Sequence, residues 1–274
     1  MKPNTILTLF IGITIIGGAS YFFTPEEKIT PTKEMAENTT TKPSISIIKT
    51  AQAKSIDAFQ ANVFDYSNVK NTAEKKQRFF DALRPIIITQ NQRIIEQREK
   101  ILLAQEKNNH QDWLEPLAEK YNVSWSSDKP NWKQLLKHID TIPSELVMAQ
   151  AANESAWGLS RFAQKGNNLF GQWCFKKGCG IVPGQRDSGA NHEVRKFSSI
   201  NASVASYMHN LNSGRAYKDL RNLRADLRSN NKPVDGHSLA NGLTKYSSRG
   251  KAYVKEIQSM IKTNKTLMEG KKKA

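Results

Sequence analysis

Over residues 73–108 the apolar positions recur close to helical spacing: Phe79, Phe80 and Leu83 come before Pro85, and Ile87, Ile94, Ile95, Ile101 and Leu102 come after it. This predicts a long amphipathic helix that Pro85 kinks or divides, because proline has no N–H to donate and its ring crowds the preceding turn. Two shorter helices should follow, one through Trp113, Leu114, Leu117 and Tyr121, the other through Trp132, Leu135, Leu136 and Ile139, with their aromatics in the core. Residues 172–197 read differently, with many glycines, Pro183 and only short apolar pieces, as in a β-hairpin lobe or an ordered loop. Helical spacing returns at Ile200, Val204, Tyr207, Met208 and Leu211, then over 216–229, and again over 250–265, where Val254, Ile257 and Ile261 share a face. The expected fold class is α+β, mainly α: a helical domain interrupted by one small β lobe.

The beginning of the chain has another pattern. Lys2 precedes an uncharged apolar stretch over 6–23, roughly 18 residues long, between a signal-peptide core and a minimal membrane span. No Ala-x-Ala site follows, so an uncleaved anchor fits better than a cleaved signal peptide. With Lys2 held inside, the rest of the chain would be exported. Residues 24–46 are rich in Thr, Pro, Lys and Glu and read as a flexible stalk.

The chain has 274 residues, a formal net charge of +16 and a pI near 9.8. Such a balance attracts anionic partners and says nothing about fold. Zinc-finger spacing, an RNA-recognition signature and a basic zipper are all missing, so nucleic acid is not an expected partner. Cys174 and Cys179 are a close pair that suits a small disulfide loop in an exported protein. A metal would need two more ligands at suitable spacing, so neither metal nor cofactor is expected.

The densest chemistry lies over 141–171. Pro143 suits the first turn of a helix, Glu145 complements its dipole and Gly158 is a natural stop. Inside this helix Glu154 falls three residues after Ala151, four after Gln150 and seven after Val147, on a largely apolar face. A carboxylate there is costly unless it is protonated or partnered. Desolvation raises its pKa, as a general acid near neutral pH requires. By spacing alone, an exposed helix-end glutamate or a partner of Arg161 is the better reading.

The residues that follow narrow the choice. Glu154-Ser155-Ala156-Trp157-Gly158-Leu159-Ser160-Arg161-Phe162 and Gly166-Asn167-Asn168-Leu169-Phe170-Gly171 resemble the glucosaminidase family of lysozyme-like peptidoglycan hydrolases, the bacterial Bax group most of all. The likeness continues through Gln172-Trp173-Cys174-Phe175, His192-Glu193-Val194, 210–217 and Tyr246-Ser247-Ser248-Arg249-Gly250 to Tyr253-Val254. It implies a lysozyme-like helical domain with a small β lobe beside a cleft, cleaving the β-1,4 bond after N-acetylglucosamine in peptidoglycan glycan strands. Glu154 takes the place of the family's general acid. Glu193, with Asp187 as its rival, suits the second carboxylate expected from the β lobe. Tyr246 suits the family's late tyrosine better than Tyr253, which is expected to pack. Asn167, Asn168 and Gln172 are candidates for hydrogen bonds to the sugar, and Trp173 for packing on its face.

The division expected on these grounds is a signal anchor or signal peptide over 1–23, the stalk over 24–46 and a helical supporting region over 47–140. The catalytic domain would then span 141–265 and a basic tail 266–274. The expected setting is the bacterial periplasm, with the inner membrane holding the anchor. A lytic transglycosylase and a non-catalytic glycan-binding scaffold are the competing functions.

Overall fold

The structure, a computed structural model, describes residues 64, 66–107, 112–184, 186 and 189–270. The apolar 6–23 stretch, the 24–46 stalk, Asp187 and residues 271–274 lie outside the described residues. Among the described residues, no helix is long and apolar enough to cross a membrane.

Helix α1, Thr72–Glu106, runs unbroken for 35 residues, with Pro85 inside it. The expected division at Pro85 does not occur. Pro85 faces solvent while Leu83, Ile86 and Ile87 beside it are buried. The carbonyl that loses its donor is therefore on the wet side, and apolar packing on the other side offsets a proline cost of roughly 3 kcal/mol. The two short helices form as α2, Leu114–Lys120, and α3, Trp132–His138.

Helix α4, Ser144–Ser155, is the centre of the molecule: every residue from Leu146 to Ala152 is buried. A helix buried on all sides must have neighbours on all sides. Here they are α1, the short α8 (Gly236–Leu239), α9 (Lys251–Thr263) and α10 (Lys265–Glu269). Helices α5 (Arg161–Gly166), α6 (Ile200–Ser213) and α7 (Lys218–Ser229) complete the helical part, with 3₁₀ turns at Arg215–Tyr217 and Ala240–Leu243. One hydrophobic core joins α1 to the later helices, so the supporting region and the chemical region share a single interior. The expected basic tail begins as structure: α10 buries Met268, and Arg84 of α1 donates to the carbonyls of Leu267 and Met268.

The β lobe is a three-stranded antiparallel sheet rather than a hairpin. Strand β3 (Glu193–Arg195) lies between β1 (Trp173–Cys174) and β2 (Gly180–Ile181). Trp173 and Ile181 both pair with Val194. A side-chain carbon at Gly180 would come within 2.1 Å of the Val194 carbonyl oxygen, so only glycine lets β2 approach β3. The expected disulfide joins Cys174 to Cys179 and staples the end of β1 to the start of β2.

A buried polar hub ties the helices together at the far side of α4. Arg224 is fully buried and donates to the carbonyl oxygens of Lys137, His138, Asp140 and Thr141 and to Asn212 Oδ1. Arg228 grips both oxygens of Asp140, at 2.6 and 2.7 Å.

Candidate active site

The last turn of α4 sets the position of Glu154. The chain leaves the helix through three successive left-handed residues: Ala156 (φ 51°), Trp157 (φ 62°) and Gly158 (φ 80°). Alanine and tryptophan are strained in that conformation, and such residues persist only where the surroundings hold them. Ser155 supplies part of the hold, donating to Ala151 O and accepting from Gly158 N. The Trp157 ring meets Phe79 and Phe80 edge-on, and its carbonyl accepts from Tyr66. Gly158 therefore ends the turn two residues later than a simple helix stop would, and a side-chain carbon there would strike Phe64.

Glu154 is half-buried on the face it shares with the fully buried Val147 and Ala151. Among the described residues no lysine or arginine pairs with it. Arg161 instead donates to Val182 O. Tyr253 of α9 donates to Glu154 Oε1 at 2.7 Å, and Asn153 Nδ2 reaches the same oxygen at 3.5 Å. Burial raises the Glu154 pKa above the usual carboxyl range, against the opposing pull of these two hydrogen bonds. The ion pair of Arg249 and Glu256, 2.6 Å long, sends opposite and weaker influences.

Four buried tyrosines stand in this region. Tyr246 stacks on Tyr253 with ring centres 5.3 Å apart, and its hydroxyl donates to Phe170 O. Tyr207 stacks on Phe170 and meets Tyr246 edge-on, and Tyr217 packs against Tyr246. Burial raises the pKa of all four, with that of Tyr217 pushed up to about 12, and the charge of Glu154 adds to the rise. All four therefore keep their protons at neutral pH. Gln150, one helical turn before Glu154, lies fully buried between Tyr207 and Tyr253 and bonds to both.

The tyrosine bonded to Glu154 is thus Tyr253, and Tyr246 supports it from behind. Sequence reasoning chose the opposite order and gave Gln150 no role. A signal was present: Tyr253 shares the apolar face of α9, and a buried phenol needs a partner for its hydroxyl. The same holds for a buried amide on an apolar helix face.

The remaining candidates are occupied within the fold. Asn168 is buried, donates to Gln172 O and Arg195 O, and accepts from the N–H groups of Phe170 and Gln172. Asn167 adopts a left-handed conformation after α5 and donates to Phe197 O. Gln172 donates to Ser203 O and accepts from Ser206. These three amides build the joint between α5, the sheet and α6. Trp173 stacks on His192, ring centres 4.0 Å apart. Glu193 is buried, and its two oxygens accept from Gly178 N (2.9 Å) and Gly180 N (2.7 Å), which hold its pKa below the usual range. It braces the disulfide loop, and among the described residues no hydrogen bond or ion pair joins it to Glu154. The Sγ atoms of Cys174 and Cys179 lie near Glu193, but both are consumed by the disulfide.

Residues 129–266 match the family described as glucosaminidase, mannosyl-glycoprotein endo-β-N-acetylglucosaminidase. The chain is also 34% identical over 203 residues to Protein bax of Escherichia coli (strain K12), covering 71% of each chain. This protein belongs to the glucosaminidase family. Its Bax-like character, read above from ordered motifs, is shown by that comparison. The family match contains α4, the sheet and α9, and so every residue bonded to Glu154. No solved structure matches the chain.

Proposed function

We propose that this protein cleaves the β-1,4 bond after N-acetylglucosamine in peptidoglycan glycan strands, with Glu154 as the general acid. The observation that carries the reading is a half-buried carboxyl at the end of the central helix, held by a phenol and, among the described residues, paired with no cation. Burial favours the protonated form of such a group, which can pass its proton to the glycosidic oxygen as the carbon–oxygen bond breaks. Positive charge then gathers on the sugar ring, and water completes the reaction at the ring carbon. The activity in the family's description supports the bond type, and the Bax-like relative supports a bacterial setting. A peptidoglycan substrate belongs to the cell envelope. The 6–23 stretch fits export, and the net charge of +16 fits anionic wall material.

Glu193 enters this reading as the ionised partner. The N–H groups of Gly178 and Gly180 move its pKa down while burial moves that of Glu154 up, the directions that the base and the acid of a glycosidase pair require. Glu193→Gln is therefore expected to slow cleavage by at least ~10-fold. A full rate in that variant would pass the role to the N-acetyl oxygen of the substrate.

The test of the reaction is digestion of purified peptidoglycan followed by mass analysis of the fragments. Hydrolysis predicts new N-acetylglucosamine reducing ends carrying one added water. Anhydro ends would replace hydrolysis with transglycosylation, and the absence of fragments from folded protein would leave a glycan-binding scaffold.

A further inference from the structure

A carboxylic acid has two oxygens, and only a proton on the oxygen facing the substrate is useful to an acid catalyst. The bonding around Glu154 distinguishes the two. Both donors that reach it, Tyr253 and Asn153, go to Oε1. Among the described residues Oε2 has no hydrogen-bond partner.

The direction of the bond from Tyr253 is fixed further back. Gln150 presents its amide nitrogen to the Tyr253 hydroxyl, at 2.8 Å, and its amide oxygen to the hydroxyl of Tyr207. An amide N–H₂ only donates, so the Tyr253 oxygen must accept from it. The single hydrogen of Tyr253 is then left for Glu154. The Tyr207 hydroxyl donates to the Gln150 oxygen, so both ends of the amide are bonded in this order. Gln150 and Tyr207 are essentially free of solvent exposure and Tyr253 is nearly so, which leaves bulk water little access to reverse the order.

We propose that Gln150 is a positioning residue. By holding Tyr253 as a one-way donor to Oε1, it confines the acid's proton to Oε2. The inference rests on the reading of Glu154 as the acid, but the hydrogen-bond order can be measured without any substrate. A protonated Oε1 would be a poor acceptor for the Tyr253 O–H, so the proton is disfavoured there in the folded protein. On Oε2 no such conflict exists. The chain of Tyr207, Gln150, Tyr253 and Glu154 thus orients the proton without moving one.

The test is the pKa of Glu154, followed by carbon NMR of the side-chain carboxyl in the full chain, for the native protein, Tyr253→Phe, Gln150→Glu and the double variant. A donor to a carboxylate lowers its pKa, so Tyr253→Phe should raise that of Glu154. In Gln150→Glu, an ionised carboxylate in place of the amide would accept from Tyr253 and turn its hydroxyl away from Glu154. In that background Tyr253→Phe should no longer raise the pKa. Comparing the two backgrounds removes the added charge from the balance. A fall in pKa for Tyr253→Phe alone would mean that the bond runs the other way and would overturn the proposal. So would an equal rise in both backgrounds. Tyr253→Phe keeps the ring and its stacking on Tyr246, so the sign test stands even where Gln150→Glu does not fold. On peptidoglycan, folded Gln150→Glu should lose at least ~10-fold in kcat with KM within about twofold, the scale of one hydrogen bond to a charged group. The expected NMR result with no glycan cleavage by the native protein would retire the glycosidase reading and leave the hydrogen-bond order intact.

Discussion

Two carboxyls drawn away from water, at opposite ends of the 140–155 segment, are treated in opposite ways. Asp140 is gripped by Arg228 at both oxygens and has Arg224 Nε 3.6 Å away. Arg224 in turn gathers four backbone carbonyls and Asn212. Glu154 has one phenol, one distant amide and, among the described residues, no cation paired with it. The first arrangement satisfies every charge and fixes the packing of α3, α6 and α7. The second leaves a half-buried carboxyl with no paired cation among the described residues, an arrangement that fits the acid proposed above. Burial also acts on the cation of the first network: it lowers the Arg224 pKa to about 10, and the charge of Asp140 opposes that fall. Desolvation therefore accompanies a clamp in one place and a carboxyl with a raised pKa in the other, and the difference is the presence of guanidinium groups.

The contrast can be broken first at the clamp. Arg224→Met should cost about 3–5 kcal/mol of stability, because it strips a buried pair of one member and leaves several carbonyls without a donor. Denaturant unfolding measures this, and a loss below about 1 kcal/mol would mean that the clamp is ornamental. Tyr207→Phe is milder. It removes one neutral donor from the Gln150 amide and should cost about 1 kcal/mol, again read by denaturant unfolding. The smallest change in stability is expected for Glu154→Gln, which should leave the protein as stable as before or slightly more stable.

The pH dependence of that last variant follows from linkage. Between the ordinary carboxyl pKa and the raised value of Glu154, the folded state holds a proton that the unfolded state has released. Stability therefore falls as pH rises through that window and stays lower above it. Glu154→Gln should lack this decline. Melting curves taken across the window would show it, and an unchanged slope would mean that burial does not perturb Glu154.

Much of the fold was legible from spacing. The apolar rhythm of α6 and α9, the glycine-rich β lobe and the disulfide all follow from local chemistry. Pro85 misled because its effect depends on which side of α1 meets water, a fact that only packing decides. The β lobe formed a three-stranded sheet because β3 comes from twelve residues beyond β2 and lies between its partners, a pairing that no turn signal encodes. At the site, the place of Glu154 on an apolar helix face was legible, and the motifs after it pointed to the family. The place of Tyr253 on the apolar face of α9 signalled a buried hydroxyl in need of a partner, but only the fold shows that the partner is Glu154 while Tyr246 donates to a backbone carbonyl. Asn168 drew attention as a polar loop residue, yet its four hydrogen bonds all serve the joint between α5 and the sheet.

The proposed reaction depends on Glu154 before any other residue, and the most direct measurement is the release of reducing ends from purified peptidoglycan by native protein and by folded Glu154→Gln, side by side. The expected result is a rate lower by roughly 10²–10⁴-fold in the variant, at equal or greater stability. A variant that cuts at nearly the native rate would contradict it and remove Glu154 from the chemistry.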